Sequence, residues 1–280
     1  MRNSTLALAC ALGWMAGPSL PATTASPASP VDPPPTAADW AALAHLPDWS
    51  GIWVPNIADQ NAQATSNPPP WTVKVAAEMA AAAAEENAGH PRGLFIDCLP
   101  EGMPSWMLIS HNAMEILYQP GRVIMLGDSD GNRLRRIYTD GRGHPADPDP
   151  SFYGHSIGHW DGQTLVVDTI GVLPQSFLAI SEAIGVPNDG DLHVTERIHL
   201  EGADRLYDEL TITAPRVLSK PWQTTRIFLR DRRRLSEIAE GVCLQGSFAP
   251  GKDRDGHAVW VPVPHDNGAP APVDHRSEQR

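Results

Sequence analysis

The chain has 280 residues, 41% of them hydrophobic and 19% charged, with a formal charge of −12 at neutral pH. That apolar content can fill a core, which excludes a disordered chain, and the acidic balance argues against a nucleic-acid partner or any other polyanion. Its 23 Gly and 28 Pro mark a loop-rich fold, and no apolar run is long enough for a stable helical membrane insertion.

In chain order, Arg2 precedes an apolar stretch over 6–15, then Gly17 and Pro18, then the small residues Thr23, Thr24 and Ala25. This order reads as a signal peptide over 1–25, with a buried N-terminal helix as the alternative. Residues 26–35 form a Pro-rich spacer, and a single β-rich domain is expected over 36–265. Thr36 can cap a short helix running to Leu46, and the turn at 47–51 feeds a first strand containing Trp53. The alanine-dense segment 71–88 predicts a surface helix.

From residue 113 the pattern becomes short strands separated by turn residues. Strands are expected at 113–118, 122–127, 133–139, 164–169, 192–200, 204–213 and 222–230, and only 175–184 offers a helical period among the connections. The expected fold is therefore mainly β: an antiparallel, lipocalin-like barrel with one or two N-terminal helices. Residues 266–280 read as a disordered tail. Beyond the leader, the two cysteines Cys98 and Cys243 suggest one disulfide in an exported, periplasmic or secreted protein, with two free buried thiols as the alternative.

The blocks RRIYTDGRGHP (135–145), GHSIGHWDGQTLVVDT (154–169), HVTERIHL (193–200) and KPW (220–222) carry a resemblance. So do the Asp48–Trp53 turn and Cys98 with Pro100, Gly102 and Pro104. With these the chain resembles a large, mostly uncharacterised family of exported bacterial proteins, which implies export, a disulfide and a β-rich fold without implying a reaction. Gln163 stands where that family usually carries an acidic residue.

Strand alternation then identifies charges that a barrel would turn inward. Glu196 shares a face with Val194, Ile198 and Leu200, Asp208 with Leu206, Leu210 and Ile212, and Arg136 with Leu134 and Tyr138, with Asp140 following. Buried carboxylates need a cation or several donors, so Glu196 and Asp208 are expected either to pair with Arg136 or Arg142 or to carry raised pKa values, and either outcome serves acid–base chemistry. A buried ion-pair network that only sets strand register is the alternative.

His144, His155 and His159 crowd beside Asp140, Arg142 and Asp149, and an imidazole can transfer protons near neutral pH. Zinc held by His155, His159 and His193 is disfavoured, because Gly154, Gly158 and Pro150 oppose the helix that a His-x3-His pair needs, and no metal is expected. Gly154-His155-Ser156-Ile157-Gly158 spells a nucleophile elbow, yet no buried strand and helix flank it in the required order. A hydrolase using Ser156 is thus a second alternative. There is no phosphate-cradling loop or dinucleotide fingerprint, so no cofactor is expected.

The composite expectation is an exported enzyme of lyase or isomerase type that binds a small apolar or aromatic molecule. Glu196 or His155 would act as general base, Arg136 or Arg142 would stabilise negative charge, and Trp53, Tyr138, Trp160 and Trp222 would form apolar walls. A non-catalytic ligand-binding barrel is the alternative.

Overall fold

In a computed structural model, the described residues are 32–90, 94, 98–109, 113–128, 133–181, 184–234, 236–238, 248–252, 254, 256 and 258–262. The expected signal peptide, Cys243 and the C-terminal tail lie outside them. The chain divides into two units, Met1–Pro34 and Pro35–Arg280. The second contains a mainly β fold built on a closed barrel, with four helices ahead of most of the strands.

Thr36 caps α1 (Ala37–Ala42) through a reciprocal bond with Asp39, and a 3-10 turn follows. β1 (Ile52–Pro55) is short, and α2 (Ile57–Ser66), capped by Asn56, comes directly after it. The alanine-rich α3 (Val73–Asn87), capped by Thr72, buries only Val75, as expected for a surface helix. α4 (Ser105–Leu108) is one buried turn.

The remaining strands are β2 (Met114–Gln119), β3 (Arg122–Gly127), β4 (Leu134–Tyr138), β5 (His155–Asp161) and β6 (Thr164–Ile170), then β7 (Phe177–Ala179), β8 (Gly185–Pro187), β9 (His193–Leu200), β10 (Arg205–Thr213) and β11 (Trp222–Asp231). β12 (Phe248–Lys252) pairs with β13 (Ala258–Pro262) in a separate hairpin. Around the barrel the order is β1-β11-β10-β9-β6-β5-β4-β3-β2, closing back on β1. Every pair is antiparallel except β4–β5, which run parallel and touch through only two residue pairs, Ile137 with Ser156 and Tyr138 with Ile157.

Two local departures follow from turn chemistry. The segment at 175–184 is no helix: β7 and β8 form a small hairpin there, and Ser105 of α4 fastens it by donating to Phe177 O and accepting from Ala179 N. β5 also forms where no strand was expected. Its hairpin to β6 closes through Gly162 and Gln163, with Gly162 at φ +62°, a conformation that costs glycine little.

β1 covers only the last four residues of β11. Beyond it α2 takes over: Asn56 N donates to Ile227 O, Gln63 Nε2 to Thr225 O and Asn67 Nδ2 to Gln223 O. A helix thus satisfies carbonyls along a strand edge that β1 does not reach, which prevents it from pairing with another chain. Inside the barrel Trp53, Met125, Ile137, Ile198, Leu206 and Phe228 are buried. The indole of Trp106 lies where a Cβ at residue 127 would stand, so Gly127 is what admits it.

Candidate functional site

The barrel wall separates two polar constellations. Within it, Arg135 donates both terminal nitrogens to Glu196, Nη1 to Oε1 at 2.8 Å and Nη2 to Oε2 at 2.5 Å. Nη2 also reaches Thr169 Oγ1 at 3.1 Å and Ser156 Oγ at 3.3 Å, so the guanidinium ties together β4, β5, β6 and β9. Burial opposes the Arg135 charge, but the charge and hydrogen bonds of Glu196, together with smaller contributions from Asp208 and Tyr153, hold the Arg135 pKa above its ordinary value.

Asp208 lies in the same interior, wholly buried, and neither of its oxygens has a hydrogen-bond partner among the described residues. Burial pushes its pKa well up and the nearby Glu196 charge pushes the same way, against the pull of Arg135 and Arg226. Arg226, lowered by burial to about 10, remains cationic at neutral pH. Its Nη1 donates to Gln63 Oε1, Thr224 Oγ1 and Thr225 O.

The second constellation is on the outer face, where β4 ends and β5 begins. Asp168 of β6 joins two imidazoles: His144 Nε2 at 2.8 Å from Oδ1, and His193 Nε2 at 2.7 Å from Oδ2. His144 Nδ1 lies 2.8 Å from His155 Nδ1. Of the two Nδ1 atoms one must donate and the other accept; when His155 supplies the proton, the lone pair of its ring is on Nε2. Burial, and then the neighbouring His144 and Arg142, lower the His155 pKa below the ordinary imidazole range, so His155 is neutral at pH 7. Tyr138 stacks on His155 with centroids 5.5 Å apart, and the Arg142 guanidinium lies 4.2 Å over the Tyr138 ring. Asp140 anchors Arg142 by accepting from its Nε and Nη2.

Glu196 and Asp208 do face inward together, as the alternation predicts. Arg136 does not join them: it is exposed, and Arg135 occupies the interior position. Apolar residues at both 134 and 137 make the strand's parity ambiguous, and pairing decides it by setting Arg135 opposite buried Met125 and Ile137 opposite buried Val123. Asp140, Arg142 and His155 lie outside the wall, so five of the six expected catalytic residues form two groups and Arg136 belongs to neither.

The four expected aromatic walls also separate. Trp53 is core, with Nε1 bonded to Trp49 O and Arg230 over its ring, and Trp222 is core beside Arg226. Trp160 packs on Trp49 and Tyr118, while Tyr138 belongs to the outer cluster. Alternation and aromatic identity cannot show which aromatics share surroundings, and here these four stand in three different settings.

Ser156 is 2% exposed, turned toward Arg135 and Thr169 and away from His155, its neighbour on the opposite face. It sits within β5 and on no strand-to-helix turn, so the elbow reading fails on geometry. His159 is exposed, and among the described residues no group of three or more His, Cys, Asp or Glu has metal-holding geometry. Cys98 is disulfide-bonded. Asp168, the centre of the outer cluster, escaped sequence reasoning. Its signal is one charged residue on the outward row of an otherwise apolar strand, and only the register reveals its meaning. No family model matches the chain, and no curated protein matches it.

Proposed function

We propose that the protein is an exported enzyme that moves protons on a small molecule without a cofactor, with His155 as general base. The observation that supports this reading is the hydrogen-bonded chain from Asp168 through His144 to His155 Nδ1, and with the proton of that last contact on His155 its Nε2 is the basic nitrogen. A proton taken up at His155 Nε2 is matched by transfer of the Nδ1 proton to His144, so the positive charge comes to rest beside the Asp168 carboxylate. Arg142, held by Asp140, lies over Tyr138 beside His155 and is placed to stabilise negative charge left on the substrate. Glu196 has no part in the step, because Arg135 occupies both of its oxygens inside the barrel. The N-terminal charge and apolar pattern supports export, as does the bonded state of Cys98, with Cys243 as its proposed partner.

Ring opening of 5-nitrobenzisoxazole tests the base directly. The reaction removes one C–H proton while the N–O bond breaks, giving a nitrile and a coloured phenolate. The wild-type rate should exceed buffer and rise with pH through a midpoint below that of free imidazole, and His155→Gln should lower it about 10²-fold or more. Asp168→Asn should lower the rate and shift the midpoint. A His155→Gln protein as fast as wild type would end the proposal.

A further inference from the structure

On the outer face of the barrel, β9, β10, β11 and α2 border an open groove of about 530 Å³. Two cross-strand rows form its floor. In one, Thr195 stands opposite Thr211, which stands opposite Gln223; in the other, Arg197 stands opposite Glu209, which stands opposite Thr225. Gln63 and Asn67 of α2 line the β11 side. Gln63 is fully engaged within the protein, binding Asp59 and Thr225 O through Nε2, and Thr224 and Arg226 through Oε1. The hydroxyls of Thr195, Thr211 and Thr225 and the side-chain amide of Gln223 make no hydrogen bond with another described residue.

The chemistry of this floor selects its ligand. Three hydroxyls and one primary amide each donate and accept, as the hydroxyls of a polyol do. Arg197 donates to Asp161 of β5 and stands opposite Glu209, and the formal charge of −12 disfavours an anion. No aromatic ring lines the groove, and an apolar guest would strip water from these polar groups and give nothing back.

The groove also leads to the outer cluster. Thr195 is the cross-strand partner of Asp168, and His193 lies two residues before Thr195 on the same face of β9. Thr195 of the groove floor therefore neighbours Asp168, whose carboxylate His144 and His193 share. We propose that this groove binds a neutral, hydroxyl-rich small molecule, a sugar or polyol, and that such a molecule is the substrate class of the His155 relay. The second clause rests on the proposed function, whereas binding does not.

Saturation-transfer NMR with D-glucose, sucrose and glycerol, and phenol as the apolar control, tests it. Transfer to the protons of at least one hydroxylated probe is expected, with none to phenol that depends on the groove. Transfer should fall at least several-fold in the Thr211→Val/Gln223→Leu variant. Thr225→Val serves as the second variant should that pair disturb the fold, as monitored by circular dichroism. His155→Gln should bind the probe as wild type does, so a failed ring-opening test leaves the binding result standing. No transfer to any hydroxylated probe, or transfer unchanged in both groove variants, overturns the inference.

Discussion

At Asp208, burial and the adjacent Glu196 charge act together, so the folded state favours the protonated carboxyl while the unfolded chain ionises near the ordinary value. A raised folded pKa means that the folded state binds the extra proton. Its contribution to stability is complete below the unfolded pKa and is lost as pH rises toward the folded value. Asp208→Asn, a neutral isostere, should therefore gain on wild type as pH rises, and melting temperatures from pH 4 to pH 8 should show the gap opening in that direction. A constant gap would mean that Asp208 is ionised in the fold. Glu196→Gln has the opposite character, because it removes the carboxylate that both terminal nitrogens of buried Arg135 engage. It should cost about 3–5 kcal/mol in denaturant unfolding, while the folded fraction opens 5-nitrobenzisoxazole at the wild-type rate. Alternation located both carboxylates because each sits among apolar neighbours two residues apart. It misplaced their cation because Leu134-Arg135-Arg136-Ile137-Tyr138 carries apolar residues on both faces.

Among the elements, α2 shows how a polar helix can complete a β wall. Its sequence, IADQNAQATS, has little apolar periodicity, so nothing local announces it. Its place comes from amide side chains that meet the β11 carbonyls. Gln63→Ala removes donors from Thr225 O and the acceptor of Thr224 and Arg226, with Arg226 half of a buried polar cluster. The loss should be about 1–3 kcal/mol in denaturant unfolding, with faster amide exchange along 222–227 than elsewhere in the barrel. Uniform exchange would show that α2 does not guard that edge. β5 was hidden for a different reason: Gly154 and Gly158 resemble turn punctuation, yet β5 pairs with β6 along its whole length. The parallel β4–β5 contact was likewise illegible, since local pattern carries no strand direction.

For the whole molecule, the bonded state of Cys98 carries the largest expected effect. With Cys243 as partner the closed loop would span about 145 residues, worth about 4–5 kcal/mol in the chain-entropy model. Reduction should lower the melting temperature, and a non-reduced digest should yield a linked peptide pair containing Cys98 and Cys243; separate peptides would refute that pairing. Composition, turn residues and period-two alternation determined the barrel class, the spans of β2, β3, β4, β6, β9, β10 and β11 and the inward faces of β9 and β10, because each of these depends on neighbours a few positions apart. The Asp168 centre needed more. His144 comes from a loop, His155 from β5, Asp168 from β6 and His193 from β9, and only pairing across the sheet brings them within hydrogen-bonding distance. Tertiary structure also chose Arg135 over Arg136 and put Trp53 and Trp222 in the core, because a strand's parity is set by the partner it pairs with and its own sequence leaves both faces open.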